Sequence, residues 1–420
     1  MQKPKITRNI NIKLIFAASV CLLSFAFLCR ALFLGYYPDF SGYYYGSQYF
    51  LDGINPYLGG GKLYTTYVYP PSVLLLFVPI TLIPFNIAQV VWVFSSIVML
   101  LISVLLCMRV FSIKAISLTG FVIFTLVFIA FPVKFTLGMG QINILILLLL
   151  VLFLFFIKKS RDSLGGMFLG VALVLKLFPL FLPLYLFFQY RKTTRTLDDS
   201  TYEWNWSYIS FKKNRFWLNP KQTNKTISIL IGIVTVLSVS IAMIYLLIPS
   251  GFYNHFLYDT LPSFVTSWKL DYYNQSLSGF VGRLFGTGVM GNIIKTVLSL
   301  LISIITILVT SKNIPGGFEI FSQKFGLLIT ASLLVNNFSW QHHFIWLIIP
   351  FFIIFVGLKK MKARWFMYYL LGLSYFLIAS NMVDPFAYHI LYRSHVFYGA
   401  VILWGIGVLL LTTKNVHDKK

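Results

Sequence analysis

The sequence predicts an all-α protein that crosses a membrane about ten to twelve times, with short loops outside it. The chain reads as one integral domain over residues 1–420. Three observations carry this. Of the residues, 58% are apolar and 11% are charged, whereas a soluble domain is about 25% charged. Apolar runs of about 20 residues recur, each long enough for a bilayer core. The 34 Lys and Arg, against 11 Asp and Glu, gather in the polar stretches between those runs. Such clustering marks cytoplasmic loops and not nucleic-acid binding.

The first apolar run, 14–34, follows Lys3, Lys5, Arg8 and Lys13. It resembles a signal peptide but is too long and lacks a small-residue cleavage site, so it reads as an uncleaved span. Further spans are expected at 86–107, 115–133, 142–157, 226–249, 291–311, 325–338, 344–358, 365–381 and 396–413. Two stretches fit less well. Residues 71–85 are short and interrupted by Pro79 and Pro84. Residues 164–190 are too long for one helix and too short for two, with Lys176, Pro179 and Pro183 in the middle. Each is either the wall of a polar cavity, where freed carbonyls find partners, or a kinked packing helix. Cys21, Cys29 and Cys107 lie inside apolar runs with no CxxC or Cys/His cluster, which excludes a zinc or disulfide framework.

Placing 1–13, 109–114, 158–161, 191–225, 312–324, 359–364 and 414–420 in the cytoplasm, both termini included, agrees with the span count if 71–85 and 164–190 each dip in and return. If 71–85 crosses fully, the loops between 108 and 163 invert. The outer face then receives the loop 35–70, the turn near Gly140, the loop 250–290, the turn Ser339–His343 and the loop 382–395. The basic cytoplasmic loop 191–225, with Trp204, Trp206 and Trp217, reads as a membrane-surface segment with interfacial anchors.

The outer loops are rich in Tyr, Asn, Gln and Trp. This suits a sugar, whose ring faces stack on aromatics, and equally an aromatic belt at the headgroups. Asp39, beside Pro38 just past the first span, would lose hydration at the membrane boundary, which raises a carboxyl's pKa and suits it to accept a proton. Asp52, before Gly53 and Asn55-Pro56, reads as turn chemistry. Lys176, within LGVALVLKLFPLFLPL, is either an isolated cation marking a functional site or a side chain that snorkels to the interface. Arg283 offers a planar fork suited to phosphate. His342 and His343 are adjacent, so on a helix they point about 100° apart and do not form a two-histidine metal face. One can bond a phosphate or hydroxyl, or both can be structural.

Seven short motifs line up in one order along nearly the whole chain. They are Asp39-Phe40 with Tyr43-Tyr44; Gly53-Ile54-Asn55-Pro56-Tyr57; Tyr69-Pro70-Pro71; Gly140-Gln141-Ile142-Asn143; Leu175-Lys176 through Pro179; Asn274-Gln275-Ser276-Leu277 with Arg283; and Ser339-Trp340-Gln341-His342-His343. In this the chain resembles the polyprenol-phosphate-sugar-dependent glycosyltransferases of family 87, which have the GT-C fold and include mannosyltransferases.

The resemblance implies transfer of a hexose, mannose first, or a pentose from a polyprenyl-phosphate donor to a lipid or glycan acceptor at the outer face of the plasma membrane, with inversion. It implies Asp39 as the base; Lys176, Arg283 and His343 toward the donor phosphate; Gln141 and Asn143 toward hydroxyls; and Tyr43, Tyr69 and Trp340 as stacking surfaces. Asn274, Gln275 and His342 complete the expected substrate-binding set. The lipid-linked sugar is a substrate, and no cofactor is expected. No DxD or ExD pair stands in the first loop, so no metal is expected either. The rivals are a transporter or flippase for a lipid-linked sugar, which would need a polar path through the membrane centre, and a polysaccharide ligase, which would use a diphosphate-linked donor.

Overall fold

A computed structural model describes residues 12–61, 67–176, 220–263, 270–312, 314, 317–382 and 394–417. The chain is an all-α polytopic membrane protein. The helices are α1 (Ile12–Cys29, extended by a 3-10 turn Arg30–Phe33), α2 (Pro38–Leu51), α3 (Pro71–Phe77, with a 3-10 turn Val78–Leu82), α4 (Phe85–Val110), α5 (Leu118–Ile129), α6 (Phe131–Met139), α7 (Asn143–Lys158) and α8 (Asp162–Leu175). There follow α9 (Pro220–Leu247), α10 (Ser250–His255, running into a π turn Phe256–Thr260), α11 (Leu277–Phe285), α12 (Val289–Thr310), α13 (Gly317–Val335), a 3-10 turn Gln341–Leu347 leading into α14 (Ile348–Lys360), α15 (Trp365–Ala379) and α16 (His395–His417). Among the described residues 7 segments are long and apolar enough to cross a membrane, or 8 with the bent pair α5–α6 counted as one. Shorter apolar helices, α7, α8 and α15 among them, pack with these.

The expected spans are present with shifted ends, and three differences have physical causes. The stretch 115–133 is not straight: α5 and α6 meet at 51°. Ala130 is extended and Pro132 stands in the first turn of α6, where its missing N–H is tolerated. The expected loop 35–70 holds α2, which starts at Pro38 after an extended Tyr37. Residues 317–324, expected as loop, belong to α13, and buried Lys324 donates to Lys312 O at 2.7 Å.

Helix contacts sort the chain into two ends. At one end Lys158 donates to Val110 O, tying α7 to α4. There too Lys225 meets Asp162 at 3.8 Å, Lys360 meets Glu319 at 2.6 Å, and Phe111 packs on Phe318 and Phe352. The basic stretches near 109–111, 158–162, 225, 318–324 and 360 therefore share one end. The inverted arrangement of the loops between 108 and 163 would separate these contacts, so it is excluded. At the other end both termini of 71–85 are held: Ser72 Oγ donates to Val174 O at 2.7 Å, and Tyr44 Oη donates to Ile83 O at 2.8 Å. That segment therefore starts and finishes at the same end. For 164–190 only the entry, α8 to Lys176, lies within the described residues. Pro179, Pro183 and the tryptophans of the 191–225 loop lie outside them.

One buried apolar cluster runs from Cys21 in α1 to Leu410 in α16. Helices inside a bilayer gain little from excluding lipid, so they associate by close packing and polar contacts. α8 and α9 show this: an added Cβ at Gly166 would stand 2.1 Å from Ile229 O, and one at Gly232 2.1 Å from Ser163 O. Trp404 Nε1 in α16 donates to Thr306 Oγ1 in α12 at 2.9 Å, a contact of about 1 kcal/mol in such settings.

Candidate active site

At the end opposite the basic contacts, three helix breaks converge. The first is the start of α2, whose opening turn carries Asp39. The second is the turn between α6 and α7. Gly140 ends α6 at φ 68°, and an added Cβ there would stand 2.7 Å from Phe40 Cβ and 3.0 Å from Tyr37 Cβ. Glycine thus supplies both the left-handed backbone and the close approach. Trp92 Nε1 donates to Gly140 O at 2.8 Å and holds the turn. In consequence the next residue, Gln141, lies against Asp39, and Asn143 opens α7. The third break ends α8 at Lys176, which is extended at φ −151° and ψ 116°.

The side chains form one polar group. Gln141 Nε2 donates to Asp39 Oδ2 at 2.5 Å and to Tyr69 Oη at 2.9 Å. Tyr69 Oη donates to Asp39 Oδ1 at 3.4 Å, and Tyr43 Oη donates to Gln141 Oε1 at 3.1 Å. Lys176 Nζ donates to Asn143 Oδ1 at 2.7 Å and stands 5.7 Å from the centre of the Trp346 ring. Trp346 Nε1 donates to Asn143 O at 3.1 Å. Asp39 is half-buried. Loss of hydration pushes its pKa up to about 6, while the Gln141 bond, the Lys176 charge and the Tyr69 bond pull the other way. A carboxylate so placed is ionised near neutral pH and more basic than an exposed one.

A second group holds the remaining candidates. Residues 272–276 and 337–341 pair through an isolated antiparallel bridge, Asn274 with Trp340. Asn274 Oδ1 accepts from Ser276 N, Ser276 Oγ and Ser339 N, and its Nδ2 donates to Asn337 O at 3.1 Å. Gln275 Nε2 donates to Tyr272 O at 2.7 Å. Arg283, on α11, donates through Nη1 to Asp271 O at 3.0 Å and Asn274 O at 2.9 Å, and through Nη2 to Ser394 Oγ at 2.9 Å. These amides and this guanidinium latch two loops together. These bonds of Asn274, Gln275 and Arg283 lie among residues 271–276, 337–339 and 394 and do not reach the hydrogen-bonded group around Asp39.

The two histidines link the groups. His343 Nδ1 accepts from Trp340 N at 3.0 Å, so in the neutral ring Nε2 carries the proton. Its ring stacks on Trp346 with centroids 5.6 Å apart, and both histidines lie within electrostatic reach of Lys176. The His342 ring stands at 90° to that of His343 and packs on Phe135 and Trp340. Tyr43 is fully buried, stacked on Phe77 at 4.7 Å and edge-on to Tyr69. Trp340 stacks on Tyr273 at 5.5 Å. Trp346 and Trp92 escaped the sequence reading. Both sit inside apolar helical runs where nothing distinguishes them from core residues.

Fold and site together define a polytopic membrane protein with a carboxylate and an ammonium gathered at broken helix ends on one face. Residues 67–197 match the family model described as glycosyltransferase family 87, which supports the family that the ordered motifs resemble. That family implies a membrane glycosyltransferase. The matched stretch contains Tyr69, Gln141, Asn143 and Lys176; Asp39 precedes it. No curated protein matches the chain.

Proposed function

We propose that the protein transfers a sugar from a polyprenyl-phosphate donor to a hydroxyl of a lipid or glycan acceptor at the outer face of the plasma membrane. The observation that carries this reading is the half-buried Asp39 carboxylate grouped with the Lys176 ammonium at three helix breaks. Asp39 takes the acceptor's proton as its oxygen attacks the anomeric carbon. The bond from that carbon to the donor phosphate breaks on the opposite side, which inverts the centre. Polyprenyl phosphate leaves with the bonding pair, and the Lys176 ammonium offsets its charge where little water competes. His343, through the proton on Nε2, is the second donor toward that phosphate.

Orientation follows from charge. The basic end faces the cytoplasm, with both termini, so the Asp39 end faces outward and meets a lipid-linked donor and not a cytoplasmic nucleotide sugar. Mannose is the first sugar to test and pentoses follow. The test is donor profiling with purified protein in lipid vesicles. The expected result is transfer of one sugar from a polyprenyl monophosphate and none from nucleotide sugars. Use of a nucleotide sugar directly, or movement of the lipid-linked sugar across the bilayer without transfer, would contradict the reading.

A further inference from the structure

Gln141 and Asn143 stand two residues apart on one turn, and the family motif presents both as amides available to a sugar. Their hydrogen bonds differ. A glutamine amide has two N–H donors and one carbonyl. In Gln141 the donors go to Asp39 Oδ2 and Tyr69 Oη, and the carbonyl accepts from Tyr43 Oη. The amide cannot be turned round, because its oxygen would then face a carboxylate that has no proton to offer. Neither side-chain donor of Gln141 remains for a ligand. Asn143 is fully buried, its Oδ1 accepts from Lys176, and among the described residues its Nδ2 has no partner.

We infer that Gln141 is a positioning residue, which fixes the orientation of the Asp39 carboxylate through an amide braced by Tyr43 and Tyr69, while Asn143 is the amide that bonds to the donor. The inference rests on Asp39 acting as the base. With Gln141 on Oδ2 and Tyr69 on Oδ1, both carboxylate oxygens have a fixed donor, so the carboxyl plane is set from two sides. Oδ1, whose bond from Tyr69 is the longer, is the oxygen that can also accept from an incoming hydroxyl without turning. Loss of Gln141 frees the carboxylate to rotate, which costs rate and leaves substrate contacts intact.

Among the described residues, the titratable groups facing Asp39 are Tyr43 on its own helix, Tyr69 on the loop before α3, and Lys176 at the end of α8, with His342 and His343 beyond Lys176. A second acid at position 141 would therefore act on Asp39 directly. Two carboxyls sharing one site cannot both ionise easily, so one titrates well above its usual range.

The experiment compares wild type, Gln141→Leu, Gln141→Glu, Asn143→Ala and Asp39→Asn, each reconstituted in vesicles with a polyprenyl-phosphate sugar. Gln141→Leu is expected to lower kcat roughly 100-fold, the scale for a misplaced catalytic group, with donor and acceptor KM changed less than about threefold. Gln141→Glu keeps the shape of the amide and needs no loss of packing. It should move the acidic limb of kcat/KM upward by about one pH unit or more. Asn143→Ala should instead raise the donor KM about tenfold or more. A rise in KM at Gln141 with kcat unchanged, or an acidic limb that stays put in Gln141→Glu, overturns the inference and makes Gln141 a substrate ligand. Full activity in Asp39→Asn overturns the prior reading of the base instead, so the two failures are separable.

Discussion

In the proposed mechanism Asp39 is the residue on which the chemistry turns, and its environment gives that mechanism a pH signature. Only the ionised form accepts a proton. With a pKa of about 6, the ionised fraction falls about tenfold for each pH unit below that value. The kcat/KM profile should therefore bend near pH 6, well above the limb of an exposed aspartate near 4; a bend at 4 would remove Asp39 from the rate. Lys176→Ala should raise the donor KM and lower kcat, because in the proposed mechanism the ammonium meets the phosphate both before and during its departure. An unchanged response to donor concentration would count against that role. Asp39 and Lys176 were legible in the sequence because each is a lone charge next to apolar or turn residues, where hydration is lost. The contacts of Gln141 and Arg283 were not. Their partners, Asp39 and Ser394, lie 102 and 111 residues away, and composition cannot distinguish an amide that binds a sugar from one that braces a carboxylate.

At the scale of the element, the site depends on three interruptions, and their causes lie in single residues. Gly140→Ala would force a side chain into a left-handed turn, at about 1–2 kcal/mol, and press it on Phe40 beside Asp39. We expect a lower melting temperature in detergent, measured by size exclusion after heating, together with a loss of transfer larger than the loss of folded protein. Activity that falls only in step with folded protein would show the turn to be structural alone. Pro84 and the cation at Lys176 identified the two irregular stretches from sequence, since neither belongs in a straight span. α2 was hidden in an expected loop. Its glycines at 42 and 46 lower helix propensity, its apolar residues are largely tyrosines, and it is held by contact: Gly46 packs on Tyr67, and Ser47 Oγ donates to Leu74 O at 2.9 Å. Packing of that kind leaves no periodic signal.

For the molecule as a whole, hydropathy and basic clusters identified the class, because a bilayer imposes a length and a charge bias on every span. The bend between α5 and α6 and the glycine seam between α8 and α9 depend on tertiary contact and could not be read in the same way. The two-ended arrangement makes a sidedness prediction. In a cysteine-free background, Gly138→Cys should react with an impermeant thiol reagent from outside intact cells, and Ser160→Cys only after permeabilisation. The reverse pattern would place the site in the cytoplasm.

The most direct measurement is sugar transfer by Asp39→Asn, assayed with a radiolabelled polyprenyl-phosphate sugar in membranes containing equal amounts of wild-type and variant protein. Asparagine keeps the size and can accept the bond from Gln141 at its one oxygen while its NH2 donates to Tyr69 Oη, yet it cannot take a proton at neutral pH. We predict normal insertion and abundance with transfer reduced about 100-fold or more. Transfer at the wild-type rate would contradict the account.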